Sequence, residues 1–376
     1  MKISLIADSA VGKSGPHRHI VGVLNSLSRI NEINLTLLTG EVDSEEPYFK
    51  SNNIKIITGF NPHKLSLFFK NIQLISKAAI KCDLIYVPTG LKTFLYTQLF
   101  RRRRKLVAGP NVTGIPPRIY DPHPFMVSRM CDGWIEASQS AKDTRVRGGN
   151  RPDDIIVIHH SIDLEKFNPR NRDKNVWGKY KLDPDRKKIL FSARIQDSKI
   201  KGGFQLINSF LILRKKIKDA DLVLAGSRSD ELLKNFDDLG NIYPLGFLTG
   251  ADLVKMMANC DIFVAPSIGE NFPFVVLEAM ASGVAVVASN VGGIKEQIIN
   301  GESGILVDLR SPDYKYKEDA HIILADVLQR LLEDDEKRKN LGINARVRAE
   351  KFFGEERMGK EFAGLFKAVL EGKRQP

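Results

Sequence analysis

Glu270 and Glu278 are separated by seven residues in Ser267-Ile268-Gly269-Glu270-Asn271-Phe272-Pro273 and the apolar stretch after it, directly behind the run Ile262–Pro266. Pro273 suits the first residue of a helix running to Ala281. A helix start offers unpaired N–H groups and a positive dipole end, which suit a diphosphate, and Gly269 lets the backbone approach closely. Glu270 falls in the loop and Glu278 about a turn and a half into the helix, where side chains lean back toward the N-terminus, so both carboxylates face one ligand. A carboxylate accepts hydrogen bonds from two neighbouring hydroxyls, as on a ribose or hexose. Glu278 stands between Val275-Val276-Leu277 and Ala279-Met280-Ala281, where a solvated side chain would be out of place. Arg194, in Ser192-Ala193-Arg194, and Lys201, in Lys201-Gly202-Gly203, are cations of the stretch 187–201, which is basic throughout.

The elements that must position these groups are short apolar runs alternating with helix-length amphipathic segments. Ile3–Ala7, Asn34–Thr39, Leu84–Pro88 and Lys105–Ala108 read as strands buried on both faces, which implies a parallel sheet wrapped by helices. The pattern restarts after the polar, proline-containing stretch 166–186 with Ile189–Ala193, Leu222–Gly226, Ile262–Pro266, Val284–Ala288 and Ile305–Val307. Two α/β domains are therefore expected, with the boundary near residues 168–187, as the length of 376 residues also favours. The segment from about Phe352 to Leu370 has helical spacing and is expected to be one amphipathic helix packed on a core. Open parallel sheets hold ligands beyond the carboxyl ends of their strands, and two facing sheets would place one in the cleft between them.

The net charge of +12 is uneven: up to Arg170 there are 24 basic against 15 acidic residues, and beyond it 33 against 30. The runs His63-Lys64-Leu65-Ser66-Leu67-Phe68-Phe69-Lys70 and Arg101-Arg102-Arg103-Arg104-Lys105, the latter behind Leu91–Phe100, mix cations with apolar residues. Such runs sit on an anionic membrane surface, bind a phosphorylated acceptor or nucleic acid, or are solvated faces. No run of about 18 apolar residues spans a bilayer, and the first strand meets Asp8 too early for a signal-peptide core, so a cytoplasmic protein is expected. Cys82, Cys131 and Cys260 each precede an Asp ahead of an apolar stretch, without metal-ligand spacing, and read as small reduced residues at strand starts.

Three further motifs compete. Ala7 through Ser14 fits a relaxed P-loop after a strand, with Lys13 as its cation, but Gly15-Pro16 intrudes where a clean helix should follow. Asp183-Pro184-Asp185 superficially matches an Asp-x-Asp metal clamp, yet lies before a strand with Pro in the middle and reads as a turn. His17, His19 and His123 read as structural, with His17 the best outside candidate for chemistry, and His159-His160 as linker residues.

The run Glu278-Ala279-Met280-Ala281-Ser282-Gly283, then Gly292-Gly293 and Asn300-Gly301-Glu302-Ser303-Gly304, resembles the donor-binding half of glycosyltransferase family 4, the retaining GT-B enzymes. The stretch from Val157 to Pro169 looks like that family's inter-domain segment, and Arg194 and Lys201 like its phosphate-binding pair. The resemblance covers nearly the whole chain, most strongly 155–308. It implies an N-terminal acceptor domain over 1–168 joined by a C-terminal helix at about 355–376, and a nucleotide-sugar domain over 169–354. Glu270, Arg194 and Lys201 become catalytic candidates. Glu278, Asn271, Phe272, Gly269, Gly12, Gly15 and Gly226 become donor-binding candidates, with Glu270 on the sugar, Glu278 on the ribose and the amides of Asn271 and Phe272 on phosphate or sugar. Pro273 stands where the family commonly has Gly, which removes one amide donor. Asn111 stands where many members carry a His, so that residue's proton-handling role does not carry over; Asn111 and His17 remain acceptor or secondary candidates. Transfer from a nucleoside-diphosphate sugar to a carbohydrate or lipid-linked acceptor in cell-envelope glycan synthesis is implied. The reaction would proceed with retention, without metal or cofactor, with no nucleic-acid partner, and with peripheral contact to an anionic membrane through Arg101 to Lys105. An epimerase or phosphorylase of the same fold, a P-loop nucleotidase and a catalytically silent binder are the alternatives.

Overall fold

The computed structural model describes residues 1–11, 15–101, 104–111, 130–195, 199–248 and 250–373. Two compact units divide the chain, the first comprising Met1–Ser161 with Glu355–Pro376 and the second Ile162–Gly354. The expected division after residue 168 falls inside the second unit. Ile162 bridges to Gly354 and donates its N–H to Phe353 (2.8 Å), while Arg346 donates to the carbonyls of Leu164 and Phe167.

In the first unit the strands are β1 Lys2–Ile6, β2 Asn34–Leu38, β3 Ile54–Ile57, β4 Leu84–Thr89, β5 Lys105–Asn111, β6 Gly133–Glu136 and β7 Ile155–Val157, in the all-parallel order β3-β2-β1-β4-β5-β6-β7. Helices α1 Gly15–Ser28, α2 Phe68–Ala79, α3 Leu91–Phe100 and α4 Gln139–Arg147 cross between them. Leu5, Leu35, Leu84, Val107 and Ile135 form one core with α1 and the C-terminal helix Glu355–Leu370; Ile6, Leu38, Ile85, Val87 and Leu106 form a second on the other face. Burial on both faces is why these strands are Val, Ile and Leu runs rather than alternating ones. Gly22 and Gly359 let α1 and the C-terminal helix approach: a Cβ on Gly359 would stand 2.8 Å from Ser26 O. The expected single helix from Phe352 is instead broken at Phe353, whose φ of −129° leaves the helical region, and the C-terminal helix restarts at Glu355.

The second unit repeats the plan with β8 Lys187–Ile195, β9 Ala220–Ser227, β10 Ile242–Gly246, β11 Ile262–Ala265, β12 Ala285–Ser289 and β13 Ile305–Val307, in the parallel order β10-β9-β8-β11-β12-β13. Its helices are α5 Gly203–Leu213, α6 Ser229–Leu233, α7 Gly250–Asn259, α8 Phe274–Ala281, α9 Ile294–Gln297, α10 Ala320–Glu333 and α11 Asp335–Phe352. The strand order reverses between β8 and β11, the place where α/β sheets bind ligands.

The three Cys-Asp pairs do one job in both sheets. Each lies just before a strand, and the Asp N–H donates to a carbonyl of the neighbouring strand while its carboxylate accepts that strand's N–H. Asp83 does this with Lys2 (2.7 and 2.8 Å), Asp132 with Leu106 (2.7 and 2.9 Å) and Asp261 with Lys188 (2.8 and 2.7 Å). The side chain thus finishes a ladder where the backbone cannot. Burial pushes all three thiols up, that of Cys131 to about 12, which fits inert packing groups rather than nucleophiles.

Candidate functional site

The strongest cluster sits at the carboxyl ends of β8 and β11 in the second unit. Between β11 and α8 the chain runs through residues 266–273, and Glu270 lies in that loop with its Oε1 accepting from Lys201 Nζ (2.6 Å) and Ser267 Oγ (2.8 Å). A carboxylate keeps acceptor capacity on its second oxygen for a ligand hydroxyl. The loop's path depends on Gly292, which at φ 52° abuts the Glu270 carbonyl so closely that a Cβ would collide with it; Gly293 N lies 3.4 Å from the same oxygen.

The Lys201 loop is bolted to the Glu270 loop. Ile268 N–H donates to Ile200 O (2.9 Å), and the Tyr316 hydroxyl donates to Pro266 O at 2.8 Å while lying 3.3 Å from Ile200 O. Gly202, at φ 82°, leaves the room: a Cβ there would stand 2.5 Å from both Pro266 O and the Tyr316 hydroxyl. Lys201 is consequently held against Glu270 by backbone geometry as well as by charge.

Arg194 lies on a bulge. Ser192 pairs with Ala225 and Ile195 with Ser227, so Ala193 and Arg194 together oppose Gly226. An extra residue of this kind re-aims side chains at a sheet end. Arg194 is exposed, and its carbonyl accepts from Ser227 Oγ. Gly226 is therefore the buried partner of the bulge.

Helix α8 begins at Phe274, one residue later than the sequence suggested; Pro273, at φ −70° and ψ 127°, is the extended residue that caps it. Glu278 is its fifth residue and only 2% exposed. Phe272 is buried with its ring edge-on to Phe353 at 5.7 Å, while Asn271 and Gly269 are half-buried in the loop. The loop is braced from behind, because Gln297 Nε2 donates to Pro273 O (3.0 Å) and Arg348 donates to the carbonyls of Glu296 and Gln297 (2.8 and 2.6 Å). Glu270 and Lys201 are thus brought together, with Glu278 on the helix that the Glu270 loop enters. Among the described residues no three His, Cys, Asp or Glu side chains gather as a metal site, and Asp183 instead closes a turn by accepting from Asp185 N–H (2.9 Å).

In the first unit, Gly12, Arg102 and Arg103 lie outside the described residues, as do Lys13 and Ser14 of the P-loop reading and His123. Gly15 opens α1 in open space, so no close approach there requires a glycine. His17 is half-buried on the first turn of α1, and Asn111 ends β5, its side chain lying outside the description. Arg101 and Lys105 share Asp132 (3.1 and 2.9 Å), and Arg104 donates to Ile80 O (3.1 Å). His160, expected as a linker residue, belongs to a buried chain: its Nδ1 is 3.1 Å from His19 Nδ1, and His19 Nε2 is 2.8 Å from the Tyr86 hydroxyl. Burial pushes the His19 imidazole down to about 3 and holds His160 well below its ordinary value, so the pair is neutral and one Nδ1 donates to the other. Gly109 makes space for Tyr86, whose hydroxyl would be 2.5 Å from a Cβ there.

Sequence reasoning missed Tyr316 and Ser267. Ser267 was within reach, since it shares the loop of Glu270. Tyr316 arrives from a segment 50 residues beyond Pro266 and carries no local signal.

Residues 173–348 match the family described as glycosyl transferases group 1. The chain is 34% identical over 212 residues to a D-inositol 3-phosphate glycosyltransferase of Paenarthrobacter aurescens, covering 53% of this chain and 48% of that protein. It is 30% identical over 251 residues to an uncharacterized glycosyltransferase of Methanocaldococcus jannaschii, covering 63% and 60%. The matches to the first of these relatives thus span about half of their length. In fold, Anabaena HepE in complex with UDP-glucose superposes with a TM-score of 0.77 at 20% identity, over 98% of this chain and 100% of that one. Sucrose-phosphate synthase of Thermosynechococcus elongatus follows at 0.75 and 19%, over 99% and 100%.

Proposed function

We propose that this chain, which belongs through residues 173–348 to the glycosyl transferases group 1 family and has the α/β GT-B fold, is a glycosyltransferase that moves a sugar from a nucleoside-diphosphate donor to an acceptor hydroxyl. The observation that carries the proposal is the Lys201–Glu270 pair, built on two loops that Tyr316 and Gly202 lock together at the strand-order reversal of the second sheet. A cation and a carboxylate at that place suit the two ends of a nucleotide sugar. Lys201 and Arg194 take the diphosphate, whose charge grows as the glycosidic bond breaks, and Glu270 accepts from sugar hydroxyls. Glu278 accepts from the ribose. Binding exchanges the ammonium–carboxylate pair for ammonium–phosphate and carboxylate–hydroxyl bonds, so the site is held in shape before the donor arrives.

The reaction in this reading retains the anomeric configuration. The departing diphosphate oxygen takes the acceptor proton on the face it leaves, which needs no protein nucleophile and no metal. The first unit holds a carbohydrate or lipid-linked acceptor, with Asn111 and His17 as its polar candidates, in cell-envelope glycan or glycolipid synthesis. The P-loop nucleotidase is disfavoured by the family match, which lies wholly in the second unit's sequence.

A thermal-shift series with uridine, guanosine and adenosine diphosphates and their sugars tests the reading. At least one should raise the unfolding temperature, and Arg194→Ala, Lys201→Ala and Glu278→Ala should each reduce the shift, with transfer persisting in EDTA. The anomeric proton coupling of the product reports retention. If no nucleotide shifts the wild type, or the three variants shift as it does, the site assignment is wrong.

A further inference from the structure

Helix α3 is built inside out for a helix on an ordinary surface. It buries Thr93, Phe94 and Thr97 and exposes Leu91 (36%), Leu95 (43%) and Leu99 (73%). The three leucines recur every fourth residue and so form one stripe along the helix. The start of α2 extends it, since the Phe68 ring lies 5.6 Å from Tyr96 of α3 and 5.5 Å from Phe69, which is 79% exposed. Scattered apolar side chains on a surface need no explanation, whereas a contiguous patch marks a partner.

The charge beside the patch says which partner. Along the sequence, residues 47–105 carry twelve Lys and Arg and one acid, Asp83, whose carboxylate is occupied with Lys2 N–H (2.8 Å), while Arg101 and Lys105 are paired with Asp132. Lys64, Lys70 and Lys92 are exposed, and at 100° per residue Lys92 lies about 20° past Leu99 around α3. A second copy would bring the same cations against themselves. A nucleic acid would satisfy the cations but offer the leucines nothing, since bases stack on aromatic and guanidinium planes. A bilayer satisfies both sets, with leucines entering the acyl boundary and lysines meeting headgroup phosphates.

We propose that the Leu91–Leu95–Leu99 stripe of α3, with Phe68 and Phe69 of α2 and the lysines beside them, is a docking face for a membrane surface rich in anionic phospholipid. This goes beyond the expected contact through the arginine run, whose described members are engaged, Arg101 and Lys105 with Asp132 and Arg104 with Ile80 O. It stands independently of sugar transfer, because the readout is lipid binding.

The full chain is sedimented with vesicles of phosphatidylcholine alone or mixed with phosphatidylglycerol. Wild type should bind the mixed vesicles and weaken steeply with salt. Leu95→Ser/Leu99→Ser should bind on the order of tenfold more weakly to mixed vesicles, and Lys70→Gln/Lys92→Gln should lose a similar factor there. Both variants should keep the wild-type unfolding temperature, as exposed positions allow. The proposal fails if wild type ignores mixed vesicles, if the leucine variant binds them as wild type does, or if wild type forms a concentration-dependent dimer without lipid that the leucine variant abolishes.

Discussion

Helices α3 and α8 occupy equivalent places, each following the strand at the order reversal of its sheet, β4 in the first unit and β11 in the second. They are treated oppositely. In α8 every apolar side chain but that of Val275 is buried, along with Glu278, and α11 packs across it so closely that a Cβ on Gly342 would stand 2.5 Å from Gly283 O. In α3 the threonines are buried and the leucines exposed. The approaches differ as well: β4 turns into α3 through Gly90 at φ 80°, whereas β11 reaches α8 through residues 266–273, which carry Ser267 and Glu270. One βα step can therefore place polar groups in a long loop before a buried helix, or keep the loop short and present the helix itself.

The largest effect that could break this contrast is on stability. Leu277 is fully buried in α8, and Leu277→Ala should cost the second unit about 2–5 kcal/mol in urea denaturation, the usual range for a buried leucine. Leu99→Ala in α3 should change the first unit by no more than about 0.5 kcal/mol. Equal losses at the two positions would mean that the α3 stripe is packed in solution and the contrast is false.

The units should also differ toward acid. His19 and His160 are buried in the first unit, facing each other, Tyr86 and Phe362, with Arg357 donating to the His160 carbonyl. The second unit has one histidine, His321, which is half-buried. An unfolded chain protonates histidine near pH 6.5, while the folded pair resists until far lower, about 3 for His19. The unfolded state thus binds more protons as pH falls, and the first unit loses stability, by about 1–2 kcal/mol per histidine between pH 6.5 and 5. Trp134 reports the first unit and Trp177 the second, so Trp177→Phe and Trp134→Phe separate the transitions. A Trp134 transition that stays level over that interval would remove the neutral pair.

What was legible in the sequence was whatever rests on local chemistry. The long strands announced themselves because burial on both faces demands unbroken Val, Ile and Leu, and Glu278 was marked by its apolar neighbours. Strands β3, β6 and β10 escaped notice because Lys55, Glu136 and Pro244 interrupt their apolar runs. The loop glycines were visible as residues but their reasons were not. Gly292 and Gly202 are required by backbone and hydroxyl oxygens from other loops, while Gly15 has nothing near it. His160 read as a linker residue because its partner, His19, is 141 residues away. Pairings across such distances come from the packed fold and leave no periodic trace.

The smallest effect tests whether the long loop before α8 is truly a ligand-holding device. Tyr316→Phe keeps the ring and removes only the hydroxyl that ties Pro266 to the Lys201 loop, so it should cost about 0.5–1.5 kcal/mol of stability. A merely structural tie would stop there. A tie that sets Lys201 against Glu270 should also lower kcat/KM for the donor several-fold, because in the proposed reading Lys201 meets a diphosphate whose charge grows as the glycosidic bond breaks. Gly202→Ala, which forces the same hydroxyl away, should produce the same pattern more strongly. Lys201→Ala combined with Tyr316→Phe should then add little to Lys201→Ala alone, since residues acting through one group are not additive. Additive losses would show that Tyr316 supports the unit without aiming its cation, and the loop after β11 would be no more specialised than the short turn after β4.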